Sequence, residues 1–315
     1  MFNADEFIEK SLEDIKSKVT GKAIIACSGG VDSMVCAALV SKAIGDRLLA
    51  IYVDSGLMRK GETEEVRDML ESMGINYKIL DAADDFFGVL KGVIDPEQKR
   101  KAIGEKFIRL FEKEARDFGA EFLVQGTIAP DWIESGDGKH KTVKSHHNVG
   151  GLPKDMEMKL CEPLWDLYKD EVRQVARKLN VRSSERQPFP GPALSVRCLG
   201  EVTPENIAIV REACYIVEDE IQKAAAAGKM DLPWQYFAAL LPIRSVGVRA
   251  DERAYGRTVV VRAVLTKDAM TAKYAQIPYE VLDAISTRIT STMGDTVNRV
   301  VYDITNKPPA TIEWE

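Results

Sequence analysis

The chain has 315 residues, 45% hydrophobic and 29% charged, a balance typical of folded globular proteins rather than disordered ones. Its formal net charge of −6 excludes a generally basic nucleic-acid-binding protein. We expect no membrane span and no secretory signal, because apolar runs stay short and MFNADEFIEK opens the chain. Five scattered cysteines without a CxxC motif predict reduced thiols and a cytoplasmic protein. The length predicts two domains, at about 150 residues each.

The first part of the chain alternates apolar strands with amphipathic helices. We predict strands at 22–27, 48–53, 75–80 and 121–125, and helices at 32–43, 62–73 and 96–118. Such alternation, with unbroken apolar strands, predicts a parallel sheet covered by helices on both faces. Ligands of such sheets bind beyond the carboxyl ends of the strands.

Residues 128–160 show no period and contain four glycines and all three histidines, which predicts a functional lid loop or a disordered segment. A helix at 168–179 follows, and the proline-rich stretch 187–192 is the predicted linker. The rest has an α+β pattern, with helices at 204–227 and 279–292 and strands at 236–249, 257–265 and 298–304. We therefore predict one domain at 1–194 and another at 195–315.

The strongest chemical signal lies between the first strand and the first helix. It consists of Ser28, Gly29, Gly30, Val31, Asp32 and Ser33. Two glycines allow the backbone to approach an anion closely, and the N-terminus of the helix favours negative charge. The motif lacks the Gly-Lys-Ser/Thr ending of the P-loop and the GxGxxG of dinucleotide-binding folds. An ordinary capped helix start is the alternative, but it does not explain the double glycine.

SGGVDS after the first strand resembles the pyrophosphate loop of the N-type ATP pyrophosphatases, which include several synthetases and tRNA thiolation enzymes. Five further segments, 52–59, 125–135, 144–153, 188–192 and 307–315, resemble GMP synthetase in that family's order. The resemblance covers nearly the whole chain, which is thus identified as a member of that family. Two departures are Gln187, where many members carry His, and Ala193, where Gly is common.

The resemblance implies an α/β fold, an adenine nucleotide alpha hydrolase-like parallel sheet domain, followed by a smaller α+β dimerisation domain. It also implies a ligase reaction with ATP and Mg²⁺. The 2-carbonyl oxygen of XMP attacks the α-phosphorus, pyrophosphate leaves, and ammonia then displaces AMP at C2 to give GMP.

Roles follow for individual residues. The loop Ser28–Ser33 binds the nucleotide, with Asp32 as the Mg²⁺ ligand. Around adenosine the resemblance implies Val53, Arg59 and Gly126. From spacing alone, Asp131 and Glu134 share a helical face and form an ordinary solvated turn, whereas the surrounding motif implies cation orientation or proton handling.

Lys144, His146 and His147 also allow several interpretations. Adjacent histidines rarely bind one ion, so a zinc site is disfavoured against plain loop histidines. The resemblance implies a mobile lid that brings Lys144 to the phosphates. Lys169 and Asp170 belong to the same catalytic group or to a solvated helix start.

The tail is the implied XMP site. The residues that the resemblance assigns to XMP are Gly191, Arg244, Lys307, Ile312 and Glu313. A frayed, charged terminus is the alternative, although Pro308, Pro309 and Trp314 argue against simple fraying.

Two other functions stay open. A tRNA thiolation enzyme requires a reactive cysteine pair, whereas Cys27 and Cys36 fit buried small hydrophobes better. A non-catalytic module that binds adenine nucleotides is the second alternative. The resemblance implies a homodimer through the C-terminal domain. The length leaves no room for a glutaminase domain, so we expect a separate glutaminase subunit as partner, and neither nucleic acid nor membrane.

Overall fold

The computed structural model describes residues 2–129, 158–181, 187–267 and 269–315. Five predicted catalytic residues lie outside the described residues: Asp131, Glu134, Lys144, His146 and His147. No helix in the described ranges is long and apolar enough to cross a membrane.

Helices and strands alternate through the first half of the described chain and segregate in the second. The helices are α1 (Ala4–Lys18), α2 (Val31–Ile44), α3 (Glu62–Ser72), α4 (Ala83–Leu90), α5 (Pro96–Phe118), α6 (Lys169–Lys178), α7 (Pro204–Ala226) and α8 (Tyr279–Thr292). The strands are β1 (Ala23–Ala26), β2 (Leu48–Asp54), β3 (Tyr77–Asp81), β4 (Phe122–Val124), β5 (Lys159–Cys161), β6 (Gln235–Arg249), β7 (Glu252–Leu265), β8 (Lys273–Tyr274) and β9 (Val297–Tyr302).

The chain forms two compact units, each assembled from several stretches. The first unit comprises Met1–Asp54, Gly61–Ala82 and Gly104–Arg186, and the second comprises Ser55–Lys60, Ala83–Ile103 and Gln187–Glu315. The boundary that we predict between residues 194 and 195 stays a prediction.

A five-stranded parallel sheet with strand order β3-β2-β1-β4-β5 organises the first unit. Its central strand β1 is apolar and buried, as a strand covered on both faces must be. The chain places β2 and β3 on one side of β1 and β4 and β5 on the other. The order therefore reverses between β1 and β4, which is where ligands of open α/β sheets bind.

The second unit contains a four-stranded sheet in which β6 and β7 form a long antiparallel hairpin. Strand β8 pairs antiparallel with β7, and β9 pairs parallel with it. One apolar core unites helix and sheet residues, including Ile216 of α7, Ala238 of β6, Val261 of β7 and Ile285 of α8. The fold class predicted from the sequence, a parallel α/β sheet followed by an α+β domain, is confirmed.

Four elements were not predicted: α1, α4, β5 and β8. The three-residue strand β5 overlaps the end of 128–160, where glycines and polar residues suggested an irregular loop throughout. Helix α4 is eight residues long and contains Gly88, too short a stretch for a clear helical period. Strand β8 has two residues, and its pairing with β7 comes from tertiary context alone.

Candidate active site

The loop Ser28–Ser33 follows β1 and runs into the first turn of α2, at the point where the strand order reverses. Its turn depends on Gly29, whose φ of 76° lies in the left-handed region that glycine adopts at low cost. The hydroxyl groups of Ser28 and Ser33 are 3.3 Å apart, and that of Ser33 also donates to the Gly30 carbonyl at 3.1 Å. The two serines therefore hold the loop closed on itself.

The first turn of α2 has no side-chain cap. Gly30 is the N-cap residue and cannot supply a capping oxygen, so no side chain accepts from the first N–H groups of the helix. These donors stand at the positive end of the helix dipole, beyond the carboxyl end of β1. Such an arrangement suits a phosphate or pyrophosphate group, as the sequence predicts.

Asp32 lies in this first turn and has two different oxygens. Its Oδ2 accepts from Lys169 Nζ at 2.6 Å, whereas its Oδ1 is buried and has no hydrogen-bond partner among the described residues. An orphaned buried carboxylate oxygen beside a phosphate site fits Mg²⁺, which proteins bind through one or two carboxylates together with substrate phosphates. No cluster of three metal-ligating side chains occurs in the described ranges.

Gly126 follows β4 on the other side of the strand-order reversal. A Cβ at this position would lie 3.3 Å from the Asp32 carbonyl carbon and 3.3 Å from the Ser33 nitrogen. Such a contact is too close to be accommodated without displacement, so Gly126 permits the close approach of two backbones at the site. Next to it, Thr127 donates to Glu162 at 2.6 Å and ties the segment after β4 to the residue after β5.

Val53 is nearly at the end of β2 and is buried. Ile51 is the last residue of β2 that pairs with β1, and Val53 lies two residues further on. On the side that faces β1, the backbone of Val53 is therefore outside the ladder between the two strands. Asp54 follows and accepts from Thr63 at 2.6 Å. This geometry suits the predicted role of Val53 in binding adenine through backbone groups.

Lys169 and Asp170 open helix α6 and differ in their surroundings. Lys169 is within the site through its ion pair with Asp32. The Asp170 side chain is 90% exposed, and Arg173 lies 3.6 Å from it. Of the two, only Lys169 contacts another residue of the predicted pyrophosphate site.

All five cysteines are buried free thiols. Burial raises the pKa of Cys27 to about 12 and that of Cys36 well above its ordinary value, so both stay protonated at neutral pH. The thiolate is the reactive form of cysteine, and these residues therefore lack the reactivity that sulfur transfer needs.

Arg59 belongs to the second unit. Its guanidinium stacks 4.1 Å from the centroid of the Phe189 ring and donates to the Gln187 and Pro188 carbonyls at 3.2 and 3.5 Å. Arg59 thus fixes the proline-rich segment 187–192, in addition to the predicted role near adenosine. Gly191, also in this segment, is exposed.

Glu313, a predicted XMP residue, is bound within the second unit. Its Oε1 accepts from Arg197 at 2.8 Å and from Gln235 at 2.9 Å, and its Oε2 accepts from Arg197 at 3.0 Å. Gln235 also donates to the Pro188 carbonyl at 3.3 Å. The structure therefore brings the tail and the proline-rich segment together, as an XMP site built from both would need.

The other predicted XMP residues are placed differently. Lys307 donates from Nζ to the Ala269 carbonyl at 2.8 Å, and Ile312 is buried. Arg244 is exposed on β6, directly opposite Arg257 of β7. Two facing arginines make this part of the hairpin a local cationic patch, although the whole chain is acidic.

Sequence reasoning missed Arg197 and Gln235. Both are buried, whereas polar residues at strand and turn positions usually face solvent. For Arg197 the only available signal was its position. It is a charged residue within the mostly apolar run Leu194 to Cys198, next to the proline-rich linker.

Two protein families match this chain. The PP-loop domain matches residues 4–186, and the GMP synthase C terminal domain matches residues 219–314. In fold, the chain is similar to the NMN synthetase of Francisella tularensis, with a TM-score of 0.50 at 15% identity, over 62% of this chain and 79% of that one.

Curated relatives match over almost the entire length. A protein of Thermoplasma acidophilum, named as one subunit of a glutamine-hydrolyzing GMP synthase, is 53% identical over 99% of this chain and 100% of that protein. The protein of the same name from Thermococcus kodakarensis is 56% identical over 99% of each. The glutamine-hydrolyzing GMP synthase of Clostridium botulinum strain Langeland is 54% identical, and the match spans all of this chain but 62% of that protein. The chain belongs to the GMP synthase family, in the form whose curated members are named as one subunit of the enzyme.

Proposed function

We propose that this chain makes GMP from XMP, ATP and ammonia through an adenylyl-XMP intermediate, releasing AMP and pyrophosphate. The observation that carries the proposal is the uncapped N-terminus of α2 behind Ser28–Ser33, with the orphaned Oδ1 of Asp32 beside it. Family membership supplies the reaction class, because the PP-loop domain uses ATP. The chain is therefore an ATP-dependent ligase.

In the first step, the O2 atom of XMP forms a bond to the α-phosphorus of ATP, and the bond from that phosphorus to the pyrophosphate oxygen breaks. The N–H groups of the loop and of the first turn of α2 bind the departing pyrophosphate and stabilise its charge. Asp32 would hold a Mg²⁺ ion together with the nucleotide phosphates, and such an ion would supply further charge neutralisation. Val53, Arg59 and Gly126 remain our candidates for the adenosine side of the site.

Lys169 has a defined part in this step. Before substrates bind, its ammonium group neutralises Asp32 across 2.6 Å. When Asp32 turns to a cation, Lys169 becomes available to bind phosphate oxygen, so the positive charge stays within the site. Asp170, the residue after it, remains a catalytic candidate on the exposed start of α6.

In the second step, ammonia attacks C2, the C2–O bond breaks, and AMP leaves with the oxygen that XMP supplied. The amine loses protons as the C–N bond forms, which requires a nearby base. We assign proton handling to Asp131 and Glu134, and phosphate contact after lid closure to Lys144 with His146 and His147.

XMP binding is assigned to the second unit, through Gly191, Arg244, Lys307, Ile312 and Glu313. Cationic Lys307 and Arg244 suit the 5′-phosphate, and Glu313 suits a purine N–H. Of these residues Glu313 has the best-defined setting, since Arg197 and Gln235 fix its carboxylate.

The relatives named as single subunits of a glutamine-hydrolyzing enzyme support a separate glutaminase subunit as the source of ammonia, and the longer Clostridium botulinum protein is consistent with this. We further propose a cytoplasmic homodimer that associates through residues 195–315, while residues 1–194 form the ATP pyrophosphatase domain.

An omission assay tests the function. The purified chain is supplied with ATP, Mg²⁺, XMP and ammonium, each left out in turn, while AMP, pyrophosphate and GMP are quantified. We expect the three products in equal amounts and none without XMP. Pyrophosphate release without any XMP dependence would favour another member of the ATP pyrophosphatase group, and nucleotide binding without turnover would favour a non-catalytic module.

A further inference from the structure

Three cations in the second unit have completely buried side chains: Lys99, Arg197 and Arg262. Among the described residues, no other lysine or arginine is buried. Burying a cation is costly unless hydrogen bonds and opposite charges compensate, so each position must have strong partners. All three side chains find those partners in one place, the C-terminal segment 303–315.

Arg262 of β7 binds the backbone of this segment. Its guanidinium donates to the carbonyls of Thr305, Thr311 and Ile312 at 2.6, 2.9 and 3.3 Å, and it lies 3.1 Å from the Asp303 carboxylate. One rigid, planar side chain therefore fixes both ends of the loop that contains the two prolines.

The bonds to Arg262 also orient the opposite edge of the backbone. In a trans peptide, the carbonyl of one residue and the N–H of the next point in opposite directions. Because the Thr311 and Ile312 carbonyls face Arg262, the N–H groups of Ile312 and Glu313 face away from it. Neither N–H donates to another described residue. The segment thus presents two adjacent, fixed hydrogen-bond donors.

Arg197 and Lys99 hold the side chains on either side of Trp314. Arg197 binds both oxygens of Glu313, and its guanidinium stacks 4.1 Å from the Phe237 ring centroid. Lys99 of α5 binds the Glu315 carboxylate and donates to the Cys198 carbonyl at 2.8 Å. Two of the last three residues, Glu313 and Glu315, are therefore bound by cations from separate parts of the chain.

We propose that Lys99, Arg197 and Arg262 are positioning residues that hold segment 303–315 in one conformation. In that conformation the N–H groups of Ile312 and Glu313 form a preset donor edge for the carbonyl oxygens of the xanthine ring. Fixing the segment in advance lowers the ordering cost of substrate binding. The substrate part of this proposal rests on the proposed function, whereas the holding of the segment does not.

The test uses the full-length chain and the variants K99M and R197M, with R197K as the conservative form. Hydrogen exchange with mass spectrometry follows the amides of residues 303–315, and calorimetry measures XMP and ATP affinity separately. We expect at least tenfold faster exchange in this segment and at least tenfold weaker XMP binding for K99M and R197M. ATP affinity should stay within twofold. R197K should recover part of the loss, because it keeps the positive charge but not the planar guanidinium that binds both carboxylate oxygens of Glu313.

The matched control is R288M, which removes a cation paired with Asp219 and Glu220, away from the segment. It should change neither exchange in 303–315 nor XMP affinity. A general loss of stability in K99M and R197M without selective exchange in 303–315 would overturn the proposal. If R197M does not fold, K99M carries the same test through exchange in 303–315 and XMP affinity.

These measurements distinguish a failure of the proposed function from a failure of the positioning role. If the wild-type chain does not bind XMP, the proposed function and the donor edge are both wrong. Exchange in 303–315 still decides whether the three cations hold the segment.

Discussion

The pyrophosphate loop and the C-terminal segment are both assigned to bind charged substrates, yet they are built in different ways. The loop is local: six consecutive residues, which reach into the first turn of α2, create it through backbone donors, and its two serine hydroxyl groups bind each other and the backbone of the loop. The C-terminal segment depends on buried cations from α5, β7 and the turn Ala193–Arg197. The first site should depend on the loop and on the few residues that adjoin it, such as Gly126 and Lys169, whereas the second should be sensitive to residues that never touch substrate.

The largest expected effect is at Asp32. D32N keeps the shape of the side chain but removes the negative charge of the carboxylate whose Oδ1 has no partner among the described residues. We therefore expect kcat/KM for GMP formation to fall by roughly 10³. Steady-state kinetics at saturating XMP measure it. D46N, an exposed aspartate in the same unit, is the control and should match the wild type. Full activity of D32N would refute the role of Asp32 as the Mg²⁺ ligand.

Gly126 tests how tightly the loop is packed. In G126A the new methyl group would lie 3.3 Å from the backbone of Asp32 and Ser33, and overpacking of this kind costs about 1–3 kcal/mol. The KM for ATP should therefore rise roughly five- to 100-fold, while XMP affinity is unchanged. G104A is matched to it, because a Cβ at Gly104 in α5 meets open space. A similar rise in KM in both variants would show that the packing argument is wrong.

The sequence predicted the loop and the parallel sheet well, since a local motif and unbroken apolar strands are enough to specify them. It did not predict Lys99, Arg197, Gln235 or Arg262, although Glu313 and Lys307 were assigned from the resemblance. Arg262 lies in a predicted strand. It reaches the C-terminal segment only because β7 pairs antiparallel with β6 and parallel with β9. Contacts between residues far apart along the chain have no signature in a single sequence.

Cys27 lies directly before the loop, and its thiol makes the stability of the chain depend on pH. Burial raises the pKa of this thiol from 9.0 to about 12, so the folded state keeps the proton that the unfolded state loses. The resulting stabilisation is complete below pH 9 and is lost as the pH rises from 9 to 12, by about 1.4 kcal/mol per unit. Urea unfolding should show that the free energy of unfolding of C27A falls less steeply in this range. Equal slopes in wild type and variant would contradict the buried, protonated thiol.

The smallest effect concerns the turn that carries Arg197. Ala193 has a φ of 54°, in the left-handed region that favours glycine. A193G should stabilise the chain by about 0.5–1 kcal/mol in thermal unfolding. A227G is the opposite control, since Ala227 has an ordinary φ of −80° and glycine there should destabilise. A destabilised A193G would indicate that the methyl group matters more than the backbone strain.

The fate of one oxygen atom tests the central claim most directly. XMP labelled with ¹⁸O at C2 is converted in the presence of ATP, Mg²⁺ and ammonium, and the AMP is analysed by mass spectrometry. If O2 of XMP attacks the α-phosphorus, each AMP carries one ¹⁸O in its phosphate group, and the GMP carries none from C2. AMP that instead contains oxygen from solvent water would contradict an adenylyl-XMP intermediate and the function proposed for this chain.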